Sequence, residues 1–258
     1  MLNDITFCIS TFERPAECRD TVETILCLYP DARILVADDS REPVPYVGEH
    51  IRTIDMPYDS GISAKRNRLI DEAETPYLML MDDDNKLTAG SVEKLYEALQ
   101  AEPMAAVAGM AKYEKGRNRW ANTEGDLKLM GNVLSIKKPT CSTYNPVSKK
   151  KLFYVEFLPM CFLVNTKRLG DMRFDESYKT CGEHLDFFLQ LQRKNPEYPK
   201  TTFVIFIPGI HFIDTGSRPE GYKKMRRRGS KYRRQMLERW GIKKIKKWAK
   251  PGKRAAYE

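Results

Sequence analysis

Three consecutive aspartates, Asp82-Asp83-Asp84, end the apolar run at 77–81 and form the densest knot of reactive side chains in the sequence. Adjacent carboxylates repel one another, and closing a buried segment with them is costly unless a cation sits there. A hard divalent ion, Mg2+ or Mn2+, suits oxygen ligands and commonly shares its coordination with substrate phosphates. The same triplet would also serve as an exposed acidic turn capping a helix, and the residues alone leave both readings open. Two further polar clusters follow apolar runs: Thr11-Phe12-Glu13-Arg14 and Asp38-Asp39-Ser40. Neither G-x-x-x-x-G-K-[ST] nor G-x-G-x-x-G occurs, so a diphosphate would need other partners. Lys65, Arg66 and Asn67, at the start of a polar helical segment, offer them. Taken singly, these cations read as surface charges.

Three histidines occur. His50 has no acidic neighbour and reads as a surface residue. His184 lies in Gly182-Glu183-His184-Leu185-Asp186. On a helix Glu183 and Asp186 share a face, so that one serves as base while the other orients an acceptor hydroxyl. His211 closes an apolar run just before Asp214, Thr215 and Gly216.

Positioning these groups requires strands that end at them. Apolar runs predict strands at 5–10, 33–37, 51–56, 77–81, 105–113 and 202–207, with 157–165 a buried strand or strand-turn. Helices are expected after Pro15, over about 63–74, from Thr88 or Ser91 through Leu99, and over 182–191. The βαββαβα order, with apolar runs in place of strict alternation, implies an α/β fold: a mostly parallel sheet flanked by helices. In such a sheet ligands bind beyond the carboxyl ends of the strands, where the three clusters fall. Residues 114–150 are expected to form hairpins or a flap.

Composition narrows the class. In 258 residues, 41% are hydrophobic and 31% charged, as in a globular protein. No apolar run reaches the ~18 residues of a membrane span, the first residues do not resemble a secretory signal, and the six cysteines lack zinc or disulfide spacing. A cytoplasmic location is the expectation. The net charge of +9 is unevenly spread: residues 223–254 hold 16 Lys and Arg against the single acid Glu238, and the remainder holds 28 basic and 34 acidic residues. Aromatic and aliphatic residues punctuate the basic run, as expected of a helical extension lying on an anionic surface, whether membrane or nucleic acid. Tyr222 and Arg226 to Arg228 would alternatively close over a diphosphate as a lid.

In this order, ITFCISTFERP, VADDS, DSGISAKRNRLI, MLMDDDN, FLVNTKRLGDMRFDES, GEHLDFF and GIHFIDTG resemble the family-2-like glycosyltransferases of GT-A (Rossmann-like) fold, in particular the β-1,4-N-acetylgalactosaminyltransferase type. The resemblance spans roughly 4–216 and implies a metal-dependent, inverting transfer from a nucleotide-diphospho-sugar, a UDP-sugar, to an acceptor hydroxyl. It implies a donor half at 1–103 and an acceptor half at 104–216, followed by the basic extension 217–258. Thr11, Glu13 and Arg14 would line the nucleotide pocket and Asp39 or Asp38 would meet the uracil edge. Lys65 and Arg66 would face base or diphosphate. Asp82, with Asp83 beside it, would contact ribose or metal, and Asp84 would bind the Mn2+ or Mg2+ with His211. Where the family commonly has Glu-Asp this chain has Glu183-His184, which leaves the base open among Glu183, His184 and Asp186. The acceptor is expected to be a glycan or lipid-linked glycan, with the basic segment on an anionic membrane. The alternatives are a hydroxylated DNA base, as in viral systems, and a non-catalytic relative.

Overall fold

The computed structural model describes residues 2–46, 48–145, 150–194 and 204–253. The first half builds β1 (Ile5–Thr11), α1 (Pro15–Leu28), β2 (Arg33–Asp38), β3 (Ile51–Asp55), α2 (Ile62–Glu72), β4 (Tyr77–Asp82), β5 (Asn85–Leu87) and α3 (Ser91–Ala101). The second builds β6 (Val107–Glu114), β7 (Arg119–Trp120), β8 (Asp126–Met130), β9 (Val133–Lys137), β10 (Ser142–Asn145) and β11 (Lys150–Tyr154). There follow β12 (Phe162–Asn165), α4 (Thr166–Leu169), α5 (Glu183–Lys194), β13 (Val204–Asp214), α6 (Glu220–Arg226), α7 (Gly229–Arg239) and β14 (Lys244–Lys247).

The main sheet runs β10-β11-β13-β6-β12-β4-β1-β2-β3. Its strands alternate between two cores, as the period of two requires. Cys8, Leu35, Leu78 and Leu80 pack on one face with α2, α5 and α7 through Leu69, Phe187, Phe188 and Met236. Phe7, Ile9, Val36, Met79 and Met81 pack on the other with α1 and α3 through Val22, Ile25, Leu95 and Leu99. Helices on both faces explain why the strands read as uniformly apolar.

The expected parallel pairing holds for β4-β1-β2-β3, whereas the other half is mixed. β12 lies antiparallel between β4 and β6. A parallel strand needs a long crossover and an antiparallel one does not, and a uniformly apolar run carries no sign of direction. Residues 157–161 approach β12 through a turn at Cys161 (φ 93) instead of extending it. β13 outruns its predicted end, continuing past a bulge at Pro208-Gly209 to Asp214; positions 202 and 203 lie outside the described residues.

The basic segment differs most from expectation. It is not wholly helical, since β14 pairs in parallel with β9 in a small sheet β14-β9-β8. Nor does it hang free: Met236, Trp240 and Ile242 are buried in the core. Residues 254–258 lie outside the described residues. No described helix is long and apolar enough to cross a membrane.

Candidate active site

The carboxyl ends of β1, β2, β4 and β6 open into one cleft, lined on its far side by α6 and by Arg228 just before α7. Its cavity volume is about 200 Å³, and it opens widely to solvent. Of the predicted residues, Arg14, Asp39, Lys65, Arg66, Asp82, Asp84 and Glu183 line it.

At one end, the Asp39 carboxylate accepts from Lys65 Nζ and, at 2.7 Å, from the Gly61 amide. Lys65 also donates to the Thr11 carbonyl (2.7 Å), and its ammonium faces the Phe12 ring. Gly61 has φ of +100°, and a Cβ there would stand 2.7 Å from Lys179 Cα, so this turn admits only glycine. At the other end, Arg66 bridges three elements: it donates to Asp82 Oδ1 and Glu183 Oε1, each at 2.9 Å. Burial opposes ionisation of Asp82, but the adjacent Arg66 charge and hydrogen bond outweigh it and hold that carboxyl below its usual range. Glu183 Oε2 is buried without a hydrogen-bond partner.

The triplet divides by role. Asp83 is fully buried and points away from the cleft: Arg14 grips it through Nε (3.1 Å) and NH2, and Thr11 Oγ1 donates at 2.8 Å. Asp84 faces the cleft, accepting from Arg14 NH1 at 2.9 Å. Burial, together with the charges of Asp82 and Asp214, pushes Asp84 above the usual carboxylate range against the pull of Arg14. Such crowding of hard oxygens is what a divalent cation relieves. Among the described residues no three of His, Cys, Asp and Glu converge as an all-protein metal site. The donor set therefore suits an ion that takes Asp84 and completes its shell from the substrate.

Several expected residues fall elsewhere. Thr11 and Asp83 belong to the buried Arg14 network. Asp38 is a turn residue, accepting from the Ser40 and Val44 amides (2.9 and 3.2 Å), and Glu13 accepts from the Arg41 amide (3.0 Å). His211 does not line the cleft. Its ring stands edge-on to Trp120, 5.2 Å between centroids, while Asp214, three residues on and paired in register with Asn85, reaches the cleft instead. Asp186 is fully buried and accepts from Trp240 Nε1 (2.7 Å) and Gln190 Nε2 (2.5 Å). Its place is under the C-terminal segment, which a sequence without contacts does not reveal.

His184 packs among Phe157, Phe162 and Phe188, and its Nε2–H donates to the Leu158 carbonyl at 2.7 Å. Burial, helped by Arg66, lowers its pKa to about 4. An unfolded histidine titrates near ~6.5, so between these values the unfolded chain takes up the proton first. This contribution to stability is complete above about pH 6.5 and is lost as pH falls toward about 4. Urea midpoints across that window are expected to fall less steeply for His184→Gln than for the wild type.

Asp59, Lys112, Glu114, Lys179, Asp214 and Arg218 also line the cleft. Lys112 and Glu114 end β6, so the strand-end rule that singled out the other clusters applies to them as well. Arg228 chelates Asp59 with both terminal nitrogens (2.7 and 2.6 Å), and these bonds hold the Asp59 carboxyl below its usual range. Tyr222 lies under the Arg14 guanidinium, 4.1 Å from carbon to ring centroid, and Arg226 donates to the Thr180 carbonyl at 3.1 Å. The segment expected as a lid is thus seated on the cleft by Tyr222, Arg226 and Arg228.

Among proteins of known fold, S. aureus TarS (residues 1–349) superposes with a TM-score of 0.59 at 12% identity, covering 82% of this chain and 60% of TarS. GalNAc-T7, solved with UDP, GalNAc and Mn2+, gives 0.60 at 11% identity, covering 84% of this chain and 44% of its own. These likenesses establish the GT-A fold. In sequence, the chain is 29% identical over 197 residues to mouse (Mus musculus) beta-1,4 N-acetylgalactosaminyltransferase 1, covering 72% of this chain and 35% of that protein. It is 32% identical over 203 residues to the mouse beta-1,4 N-acetylgalactosaminyltransferase 2, covering 72% and 36%. The chain thus spans about a third of the length of these relatives. The profile of glycosyl transferase family 2 matches residues 6–178, which includes every cleft residue contributed by β1, α2 and β4; the chain belongs to glycosyl transferase family 2.

Proposed function

We propose that this chain transfers a sugar from a UDP-sugar to an acceptor hydroxyl with inversion, using Mn2+ or Mg2+. The observation that carries the reading is Glu183, which lines a cleft rich in cations and whose second carboxylate oxygen is buried and unpartnered. A hydroxyl placed there would satisfy that oxygen and pass its proton to it as the hydroxyl oxygen bonds to the anomeric carbon. The bond from that carbon to the diphosphate breaks on the opposite face, and the electron pair leaves with the diphosphate. Asp39, locked by Lys65 and Gly61, supports recognition of the uracil edge, with Phe12 as an apolar wall beside it. Arg218 and Arg226 are suited to the diphosphate, and favourable charge placed where charge develops is the largest usual contribution in such sites. A bound divalent ion would be held by Asp84 and would neutralise the departing diphosphate.

The relatives are named as N-acetylgalactosaminyltransferases, which supports an N-acetylhexosamine or hexose donor. Beside Glu183 runs a mainly apolar groove lined by Phe157, Pro159, Met160, Leu185 and Met236, a fitting seat for the apolar part of a lipid-linked glycan acceptor. No feature of the cleft favours a DNA base, and the free oxygen of Glu183 argues for catalysis over mere binding.

In thermal-shift titrations UDP-sugars are expected to raise the melting temperature further with Mn2+ than without it. Asp84→Ala is expected to erase the Mn2+ increment and transfer activity together. Full Mn2+-dependent transfer in Asp84→Ala would refute the metal assignment.

A further inference from the structure

The small sheet β14-β9-β8 turns one face to the core through Leu127, Leu134 and Ile136. The registers Met130↔Val133↔Lys244 and Lys128↔Ser135↔Lys246 place the other side chains in rows on the opposite face. At the β8–β9 turn, Met130 is 64% exposed, more than any other large apolar side chain described, whereas Leu129 pairs with Leu134 on the inward face. The Lys243 and Lys244 amides both donate to the Asn132 carbonyl (2.8 and 3.2 Å), which fixes these two lysines beside the turn. Lys128, Lys243, Lys244 and Lys246 are exposed, and none has a carboxylate partner among the described residues.

From this juxtaposition we propose that the outer face of the β14-β9-β8 sheet docks on an anionic lipid bilayer, with Met130 entering the headgroup region and Lys128, Lys244 and Lys246 meeting lipid phosphates and carboxylates. Charge complementarity chooses an anionic occupant, and the apolar tip chooses a bilayer over nucleic acid. A nucleic-acid face gains from arginine and aromatic stacking, and the tip Leu129-Met130-Gly131-Asn132 carries neither. An exposed methionine gains nothing against phosphate but is stabilised between acyl chains. Each lysine near such a surface strengthens attachment by roughly fivefold. The surface joins two segments distant in sequence, 126–137 and 243–247, so the basic run alone would be an incomplete docking site.

The test is co-sedimentation of the full chain with phosphatidylcholine vesicles with and without phosphatidylserine, with duplex DNA in parallel. Binding is expected only to the phosphatidylserine vesicles and is expected to weaken with salt. Lys244→Glu with Lys246→Glu is expected to weaken it more than about tenfold, and Met130→Asp about tenfold. Melting temperature and its shift with UDP-sugar report folding and donor binding separately, and both are expected to be unchanged in these exposed variants. Equal sedimentation of wild type and variants, no selectivity for phosphatidylserine, or retention on DNA that ignores Met130→Asp would overturn the proposal.

Discussion

Glu183→Gln is expected to lower kcat by between about 10^2- and 10^4-fold while leaving the shift in melting temperature with UDP-sugar unchanged. Glutamine preserves volume and still accepts from Arg66 through its carbonyl, but it cannot take the hydroxyl proton. Three residues competed for this role on sequence grounds, and their environments separate them. Asp186 has both oxygens engaged by Trp240 and Gln190 in the core. His184 is half-buried against three phenylalanines, its Nε2 is committed to the Leu158 carbonyl, and it lines the apolar groove rather than the cleft. Only Glu183 combines a place in the cleft with a free acceptor oxygen. A loss confined to KM, or a Glu183→Gln enzyme that keeps its kcat, would require another base.

Asp83→Ala is expected to destabilise the fold by about 3 kcal/mol, read as a lower urea midpoint, because it deprives a buried guanidinium of its principal partner. Arg14 is 5% exposed, and Asp83 is its principal partner. Burial, with Asp84 and Asp82 alongside, presses Asp83 toward its neutral form against the pull of Arg14. Arg14 keeps its charge whichever form Asp83 takes, so removing Asp83 leaves the guanidinium with only Asp84 and the Ser217 carbonyl. Replacing both by apolar side chains of similar size (Arg14→Met with Asp83→Leu) is expected to recover much of the loss, since the desolvation cost disappears with the charges. Arg14 also binds Asp84 and the Ser217 carbonyl (3.0 Å), so the double variant is expected to fold yet bind donor poorly. A midpoint unchanged by Asp83→Ala would show that the Arg14 network contributes nothing to folding.

The two variants measure different layers of one site: in the proposed reaction Glu183 would serve the reacting hydroxyl, whereas Asp83 and Arg14 fix the floor on which Asp82 and Asp84 stand. Arg66 joins the layers, because it holds Asp82 and Glu183 from opposite sides. Tyr222 on Arg14 and Arg228 on Asp59 extend the assembly into the C-terminal segment. The basic charges there thus serve two faces, one turned to the cleft and one, on the small sheet, turned outward.

The chain itself dictated β1 to β4 and α1 to α3, because apolar runs ending in polar clusters are local patterns and the backbone must satisfy them locally, whereas the short β5 went unpredicted. It also placed Asp39, Lys65, Arg66, Asp82 and Asp84 at strand or helix ends, and those residues share one cleft. Tertiary structure alone decided which acids face the ligand. Asp82 and Asp84 look outward while Asp83 turns to Arg14, 69 positions away, a contact that no short window contains. It likewise buried Asp186 under Trp240 and brought Asp214 to the cleft where His211 had been expected. The direction of β12 and the docking of the basic segment belong to the same class. Both depend on which distant surfaces exclude water together, and that free energy is a property of the assembled pair rather than of either stretch of sequence.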